Sequence, residues 1–279
     1  MTSLRGAPRA HPLVVIRGGG DLATGAAARL HRAGFPVVVL EIKQPLAVRR
    51  RVALAEAVYA GRVRIEELEG VLAEGVEQVA PVLAGGAIPV VVDAEARNLR
   101  VLAPKVIVDG RMRKAASDLP RDAAPLTIGL GPGFTAGVDC HAVVETRRGH
   151  RLGRVIWKGT AESDTRVPEP VEGYDADRVL RAPKAGVMRG LAEIGAVVRR
   201  GEAVFAIDGE VVAAPFDGAL RGLLHDGLRV EPGMKAGDLD PRGDPSYCLE
   251  ISDKALAVGG GVLEAVLSRP EIRAALASS

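Results

Sequence analysis

The sequence is poor in aromatic residues, in cysteine and in excess charge. Only 3% of its 279 residues are aromatic, which argues against a protein that holds nucleic acid by stacking bases on aromatic side chains. Its 37 basic and 35 acidic residues nearly cancel, which also argues against an electrostatic nucleic-acid binder. Two cysteines form neither a disulfide framework nor a CxxC pair. We therefore expect a reducing, cytoplasmic location and no nucleic-acid partner.

Long apolar runs and metal-ligand spacings are also missing. No run reaches the roughly 18 apolar residues of a membrane span, and glycines interrupt the N-terminal region before a signal peptide could form. The five histidines are scattered, and none pairs with a histidine or cysteine at ligand spacing. We therefore expect no membrane association and no metal site.

The first part of the chain alternates between short apolar runs and segments with helical spacing. Strands are predicted at 13–16, 35–40, 88–92 and 106–108, and helices at 21–31, 66–72 and 76–83. A strand, a glycine turn, a helix and a second strand within about 30 residues form a βαβ unit. This alternation predicts a parallel α/β sheet over residues 1–117, a Rossmann-like domain.

The next region, 118–180, is predicted to be a β-rich segment followed by a linker. Its short strands are expected at 126–130, 142–146 and 154–157, with a hairpin turn at 147–150 and an ordered loop or linker at 162–174.

An internal repeat organises the region that follows. A shift of 32 residues aligns ten identical residues between 182–208 and 214–240. Each copy has the pattern of three strands separated by glycine turns, and Asp208-Gly209 is a favoured hairpin turn between the copies. We predict one closed β module over 181–251, because each copy needs the other to bury a face. A helical segment, 252–279, is predicted to contain helices at 261–267 and 272–276.

The first glycine turn fits a dinucleotide-binding motif. Gly18, Gly20 and Ala23 match GxGxxG/A between a strand and a helix, where backbone N–H groups can approach a diphosphate. Glu41 ends the second strand, where an acidic residue would bond a ribose hydroxyl. The turn could equally serve strand–helix packing, and the Asp21 carboxylate would repel an anion. The candidate cofactor-binding residues here are Gly18, Gly19, Gly20, Asp21 and Glu41.

A second glycine loop follows the predicted strand at 126–130. Gly129, Gly131 and Gly133 are spaced as in a backbone nest for an anion, although an ordinary Pro-Gly turn has the same composition. Asp109, Gly110, Arg111 and Lys114 follow another strand and could hold an anion in the sheet crevice or form a solvated loop.

Three residues are candidates for catalysis. Cys140 could be a reactive thiol whose pKa is lowered by a neighbouring base, with His141 or Lys158 as helpers. Adjacent side chains in a strand point to opposite faces, so a small buried cysteine is the alternative. Cys248 is predicted to be an inert, packed thiol.

Five long motifs carry a resemblance that extends from about Val14 to Leu267: VVIRGGGDLATG, EIKQPLAVRRRVALAEAVYAG, IGLGPGFTAGVDCHAVVET, GRVIWKGTAE and ISDKALAVGGGVLEAVL. They resemble the accessory family linked to selenium-dependent molybdenum hydroxylases (YqeB-like). The N-terminal part is similar to the Rossmann domain of XdhC-type factors, which mature the molybdenum cofactor of xanthine dehydrogenase. The resemblance implies a role in loading or modifying that cofactor at its sulfur or selenium ligand.

The repeat region resembles the barrel-sandwich fold of biotinyl and lipoyl domains. Those carriers have the modified lysine in the turn that joins their halves, whereas the corresponding turn here is Ile207-Asp208-Gly209-Glu210. No lysine lies between Lys184 and Lys235. We therefore expect a docking surface or lid and no swinging arm.

These observations lead to three hypotheses about function. The first is a maturation factor that binds a molybdopterin-type cofactor or an NAD-like dinucleotide at the glycine loops and handles the sulfur or selenium ligand through Cys140. The others are an NAD-dependent oxidoreductase and a non-catalytic chaperone that holds the cofactor. The implied partners are a molybdenum hydroxylase apo-enzyme or other cofactor-maturation proteins. Turnover and homo-oligomerisation are left open.

Overall fold

The computed structural model describes residues 12–112, 117–163 and 176–277. The chain divides into two compact units. The first unit contains Met1–Pro45, Leu54–Asp164 and Ile251–Ser279, and the second contains Leu46–Ala53 and Thr165–Glu250. Among the described residues, no helix has the length and apolar character needed to cross a membrane.

A nine-stranded sheet forms the centre of the first unit. Its order is β10-β9-β7-β6-β1-β2-β5-β4-β3, and all strands are parallel except β3 and β10 at the two edges. The strands are β1 (Val14–Arg17), β2 (Val37–Glu41), β3 (Arg62–Ile65), β4 (Leu68–Ala73), β5 (Ile88–Val92), β6 (Val106–Asp109), β7 (Leu126–Leu130), β9 (Ala142–Val144) and β10 (Val155–Ile156); β8 (Thr135–Ala136) and β11 (Gly159–Thr160) form a separate pair.

The chain changes direction within the sheet beside β1. The first strands extend to one side, through β2 to β5 and β4, and the chain then returns to place β6 on the other side of β1. β1, β2 and β6 are fully buried, which accounts for their Val- and Ile-rich sequences. A reversal of this kind leaves a crevice at the carboxyl ends of the strands, where α/β proteins bind ligands.

Six α-helices accompany the strands in the described residues. They are α1 (Asp21–Arg32), α2 (Ala57–Ala60), α3 (Val79–Ala84), α4 (Leu99–Leu102), α5 (Asp253–Leu267) and α6 (Pro270–Ala277). The helix predicted at 66–72 is wrong, because this segment forms the turn and second strand of the β3–β4 hairpin. Pairing with β3 and β5 outweighs the helix propensity of its Glu and Leu residues.

Helix α5 packs against α1 through glycines. A Cβ on Gly25 would lie 2.2 Å from the carbonyl oxygen of Ala255, and one on Gly259 would lie 2.3 Å from that of Gly25. The helix predicted at 261–267 begins eight residues earlier, at Asp253, with the Ser252 side chain capping it. Its run of three glycines is weak in helix propensity, and close packing against α1 compensates.

The second unit contains two four-stranded antiparallel sheets. Their orders are β12-β19-β17-β14 and β16-β15-β13-β18. The strands are β12 (Val179–Arg181), β13 (Gly186–Gly190), β14 (Val197–Val198), β15 (Ala203–Ile207), β16 (Glu210–Ala213), β17 (Gly218–Leu223), β18 (Arg229–Val230) and β19 (Lys235–Asp240).

The two copies of the repeat exchange strands. β14 of the first copy joins β17 and β19 of the second in one sheet, and β18 of the second copy joins β13 and β15 of the first in the other. β12 and β16, which lie just before the first and the second copy, complete the two sheets. β13 pairs with β18, with Gly186 opposite Val230, and β14 pairs with β17, with Val198 opposite Gly218. A shift of 32 residues converts one pair into the other, so the copies are related by an internal twofold pattern. The hairpin turn predicted at Asp208-Gly209 is confirmed, with both residues at positive φ.

The two units do not follow the predicted domains. The boundary after residue 117 separates β6 from β7, which pair in one sheet, and the helical segment 252–279 belongs to the first unit. The short predicted strands after residue 117 belong to the edge of the same sheet and do not begin a new domain. The segment Leu46–Ala53 was not predicted to join the second unit, where Leu223 donates a backbone hydrogen bond to Val48. Residues 164–174 of the loop or linker predicted at 162–174 lie outside the described residues.

Substitution of Gly25 tests the contact between α1 and α5. We expect Gly25→Ala to lower the free energy of unfolding by about 1–3 kcal/mol, because the new methyl group meets backbone atoms that have no room to shift. Gly260→Ala is the matched control, since no heavy atom lies within 4 Å of its Cβ position. Urea denaturation measures both variants, and equal stabilities would contradict the packing argument.

Candidate functional site

Buried charged side chains lie at the carboxyl edge of the nine-stranded sheet. Each terminates a strand or follows its last residue, and each is less than one-tenth exposed: Arg17, Glu41, Asp93, Asp109 and Glu145. Buried charges are costly unless they are paired or hydrogen-bonded, so their partners define what this edge can do.

Glu41 fixes the glycine loop that follows β1. Its Oε2 accepts a hydrogen bond from the N–H of Gly19 at 2.6 Å, and its Oε1 accepts one from the N–H of Ile42 at 2.7 Å. Ala55 donates its N–H to the carbonyl oxygen of Gly19, and a Cβ on Gly19 would lie only 2.7 Å from that nitrogen. The predicted position of Glu41 at the end of the second strand is confirmed. Its hydrogen bond to the main chain of the glycine loop was not predicted.

Gly20 has open space at its Cβ position, unlike Gly18 and Gly19. It is the N-cap of α1, and no side chain caps the helix there. No heavy atom lies within 4 Å of its Cβ position. A helix N-terminus has backbone N–H groups without intrahelical partners and carries partial positive charge, so it attracts anions. Asp21, in the first turn of α1, adds an opposing negative charge.

A cluster of four charged residues covers Gly18. Arg17 contacts Asp118 at 2.5 Å and Asp109 at 3.6 Å, and Arg111 contacts Asp118 at 2.8 Å and Asp109 at 2.5 Å. A Cβ on Gly18 would lie 3.0 Å from Cγ of Arg111. The cluster therefore lies at the crevice between β1 and β6.

Sequence reasoning found only half of this cluster. It singled out Asp109 and Arg111 but missed Arg17 and Asp118, and Lys114 lies outside the described residues. An arginine at the end of an otherwise apolar buried strand was the available signal for Arg17. Asp118 follows no strand, so nothing in its sequence context indicated its role.

The second glycine loop is shaped by packing. A Cβ on Gly129 would lie 2.4 Å from the ring of Phe134. Gly131 has φ of 73°, donates its N–H to Val144, and would bring a Cβ within 2.5 Å of Oγ1 of Thr146. Gly133, at φ of 106°, is exposed. The contacts of Gly129 and Gly131 explain these glycines without a bound anion.

Cys140 is a core residue, which contradicts its assignment as a reactive thiol. It is 3% exposed and packs with Phe134, Ala136, Val143 and Ala161. Its Sγ–H donates to the carbonyl oxygen of Ala142 at 3.2 Å. Burial raises the pKa of Cys140 to about 11, so the nucleophilic thiolate is scarce near neutral pH.

His141 and Lys158 are not arranged to assist Cys140. Nδ1 of His141 accepts a hydrogen bond from the N–H of Thr127, near the beginning of β7 and away from the carboxyl edge. Burial, followed by the charges of Arg269 and Arg121, lowers the pKa of His141. Lys158 is exposed, and within the described residues no hydrogen bond or ion pair joins it to Cys140 or His141.

Metal ligands do not converge in the part of the chain that the structure describes. Residues 12–112, 117–163 and 176–277 contain no group of three or more His, Cys, Asp or Glu side chains placed to hold a metal ion.

Comparison with known proteins finds one informative relative. The chain is 46% identical over 260 residues to the "Uncharacterized protein YqeB" of Escherichia coli (strain K12), a match that covers 93% of this chain and 48% of that protein. The chain therefore spans about half the length of the curated relative that it matches. No protein-family model matches the chain.

Two solved structures show only a faint likeness. They are the ectoine utilization protein EutE (DoeB) from Ruegeria pomeroyi, with a TM-score of 0.25 and 12% identity, and a succinylglutamatedesuccinylase/aspartoacylase from Rhodobacter sphaeroides, with a TM-score of 0.26 and 18% identity. Each match covers 82% of this chain and 85% of the other. At these TM-scores the likeness carries no argument about this protein.

Thiol labelling tests the burial of Cys140. We expect the Cys248→Ser variant, which retains Cys140, to react slowly with iodoacetamide near neutral pH and quickly once denaturant is added. Lys158→Cys in the same background supplies an exposed thiol as the control. Fast labelling of Cys140 in the folded protein, with an apparent pKa below about 8.5, would restore it as a reactive thiol.

Acid stability tests the charged cluster. Hydrogen bonds from Arg111, and then from Arg17, lower the pKa of Asp118 in the folded protein. The unfolded chain binds a proton at higher pH than the folded chain, so this stabilisation is present above about pH 4 and is lost as the pH falls further. We expect Asp118→Asn to flatten the decline of unfolding free energy below that pH. Asp122→Asn, an exposed neighbour, should leave the decline unchanged in urea titrations.

Proposed function

We propose that the first unit binds a phosphorylated cofactor at the carboxyl edge of its sheet. The observation that carries this proposal is the open N-terminus of α1 at Gly20, beside the point where the strand order reverses. Backbone amides and the helix dipole at such a terminus suit a phosphate group. Glu41 supports the site because it holds Gly19 next to Gly20, whose Cβ position is open.

The same features support a Rossmann-like interpretation of the first unit. Seven parallel strands, a reversal beside β1 and a glycine turn between β1 and α1 are all expected of a dinucleotide-binding fold. The exchanged strands of the second unit support a barrel-sandwich module. The turn where a carrier domain has its lysine contains Asp208 and Gly209, so we propose docking and no swinging arm.

The biological role that we propose is maturation of the molybdenum cofactor of selenium-dependent hydroxylases. Its support is the resemblance of the five motifs, since the printed name of the relative assigns no activity. The partners would be a molybdenum hydroxylase apo-enzyme or another maturation protein, in the cytoplasm. Because the chain spans about half of that relative, the activity of the whole protein is part of the proposal.

The residues present fit the phosphate of a molybdopterin-type cofactor. Gly20 and the first turn of α1 would hold the phosphate, and Glu41 would keep the loop in position. Such a cofactor would supply the molybdenum and sulfur chemistry. The chain itself would bind and orient the group, because Cys140 is buried and its thiol is protonated near neutral pH. This favours a cofactor-holding chaperone over covalent handling of sulfur or selenium.

An NAD-like dinucleotide is the second candidate ligand, and Glu41 favours it. A carboxylate at the end of the second strand is placed to accept a hydrogen bond from a ribose hydroxyl. Both of its oxygens already accept from backbone N–H groups, but a carboxylate offers about four lone-pair sites in all. Native mass spectrometry of the purified protein distinguishes the candidates, because a bound dinucleotide and a bound pterin differ in mass.

Gly20→Asp tests the proposed site without disturbing the helix. Aspartate is a favoured N-cap, so we expect the variant to fold with unchanged or slightly higher stability. Its carboxylate would occupy the position of the phosphate and weaken binding of NADH or inorganic pyrophosphate at least tenfold in calorimetry. Gly20→Ser, a neutral cap, is the control and should bind within a few-fold of the parent. Unchanged affinity in Gly20→Asp would show that the loop is a packing turn.

A further inference from the structure

The four-residue charged cluster at Gly18 points to a more specific ligand. We propose that Arg17 and Arg111 form a diphosphate-binding pair, and that Asp118 is an internal carboxylate which the diphosphate displaces. The inference rests on the proposed function in one respect, namely that this edge of the sheet binds a phosphorylated ligand.

Arg17 is a buried arginine with a donor that has no acceptor in the described residues. Its side chain is only 2% exposed, and its Nε is buried without a hydrogen-bond partner in the described residues. A buried guanidinium needs opposite charge and acceptors for its five N–H donors. Asp118 and the carbonyl oxygen of Ala94 accept hydrogen bonds from its terminal nitrogens, and Asp109 forms an ion pair with Nη1 at 3.6 Å. The site therefore retains capacity for a further acceptor.

The two aspartates of the cluster differ in how exposed they are. Asp109 is the last residue of β6, and its side chain is 9% exposed, so the sheet holds it in place. Asp118 lies outside the strands, and its side chain is 41% exposed. Asp118 contacts both arginines, with its two oxygens shared between them. Of the two carboxylates that pair with both arginines, Asp118 is therefore the one that a ligand in solution can reach.

The position of Arg111 relates the charged cluster to the glycine turn. Arg111 lies directly over the glycine turn, because a Cβ on Gly18 would be 3.0 Å from its Cγ. An anion that replaces Asp118 on Arg111 would therefore lie at the same edge of the sheet as the glycine turn and the N-terminus of α1. In this proposal one phosphate of a diphosphate binds the arginines and the other binds the helix terminus. Phosphate oxygens also match the two-pronged geometry of a guanidinium.

A purely structural ion-pair cluster is the alternative, and charge-neutral replacement of Asp118 separates the two interpretations. A structural carboxylate contributes to folding, whereas a displaceable one also competes with the ligand. Removing its charge would therefore strengthen anion binding even if it lowers stability.

The experiment is calorimetric titration of the full chain with inorganic pyrophosphate in phosphate-free buffer at low salt. We expect Asp118→Asn to bind pyrophosphate about tenfold more tightly than the parent, because the competing carboxylate is gone. Asp122→Asn makes the same change of charge at an exposed neighbour and should alter affinity less than about twofold. Asp118→Glu keeps the carboxylate and should bind like the parent.

Two further variants complete the test. Arg111→Gln should weaken pyrophosphate binding, and Asp118→Asn combined with Arg111→Gln should lose the gain of Asp118→Asn. Thermal unfolding confirms that each variant folds, and Asp118→Ser replaces Asp118→Asn if the latter does not. The inference is overturned if Asp118→Asn, or Asp118→Ser in its place, binds pyrophosphate with the same affinity as Asp122→Asn.

The outcome also separates this inference from the proposed function. If Gly20→Asp abolishes pyrophosphate binding and Asp118→Asn does not change it, the helix terminus binds the anion, and the proposal that a diphosphate displaces Asp118 is wrong. If Asp118→Asn strengthens pyrophosphate binding and Gly20→Asp does not change it, the arginine pair is an anion site, and the proposed role of the glycine loop is wrong.

Discussion

A single buried carboxylate holds the part of the molecule on which the candidate site depends. Glu41, at the end of β2, accepts the N–H of Gly19 and so ties the second strand to the loop after the first. On the far side, Leu54 donates its N–H to Oγ1 of Thr24, and Ala55 donates to Gly19. These bonds hold Gly19 from both sides, and no heavy atom lies within 4 Å of the Cβ position of the next residue, Gly20. The loop is therefore fixed beside an open helix terminus.

Close approach of backbone to backbone is the second constraint, and glycine makes it possible. Gly25 and Gly259 let α1 and α5 touch, and a Cβ on Gly261 would lie 2.1 Å from the carbonyl oxygen of Gly153. The helix that follows the second unit in sequence thereby becomes part of the first. This arrangement explains why sequence position and structural unit do not coincide in this chain.

Cys140 and the charged cluster differ in their surroundings and in their position relative to the sheet edge. The thiol has the residue type expected of a nucleophile, but apolar neighbours and a raised pKa make it a packing group. Arg17 and Asp118 were not predicted as candidate residues. They form an ion pair at the edge of the sheet where parallel α/β proteins bind ligands. Position at the sheet edge therefore distinguishes the candidate site more clearly than the type of side chain.

The sequence by itself determined the buried parallel strands, the glycine turn, Glu41 and the repeat, because hydrophobic periodicity, turn chemistry and internal identity are local properties. Only the tertiary structure decided that 66–72 is a hairpin strand, that α5 runs through three glycines, and that Asp118 reaches Arg17 across 101 residues. Each of these depends on partners distant in sequence. Pairing, close packing and ion pairing across such distances override local preference, and no local pattern encodes them.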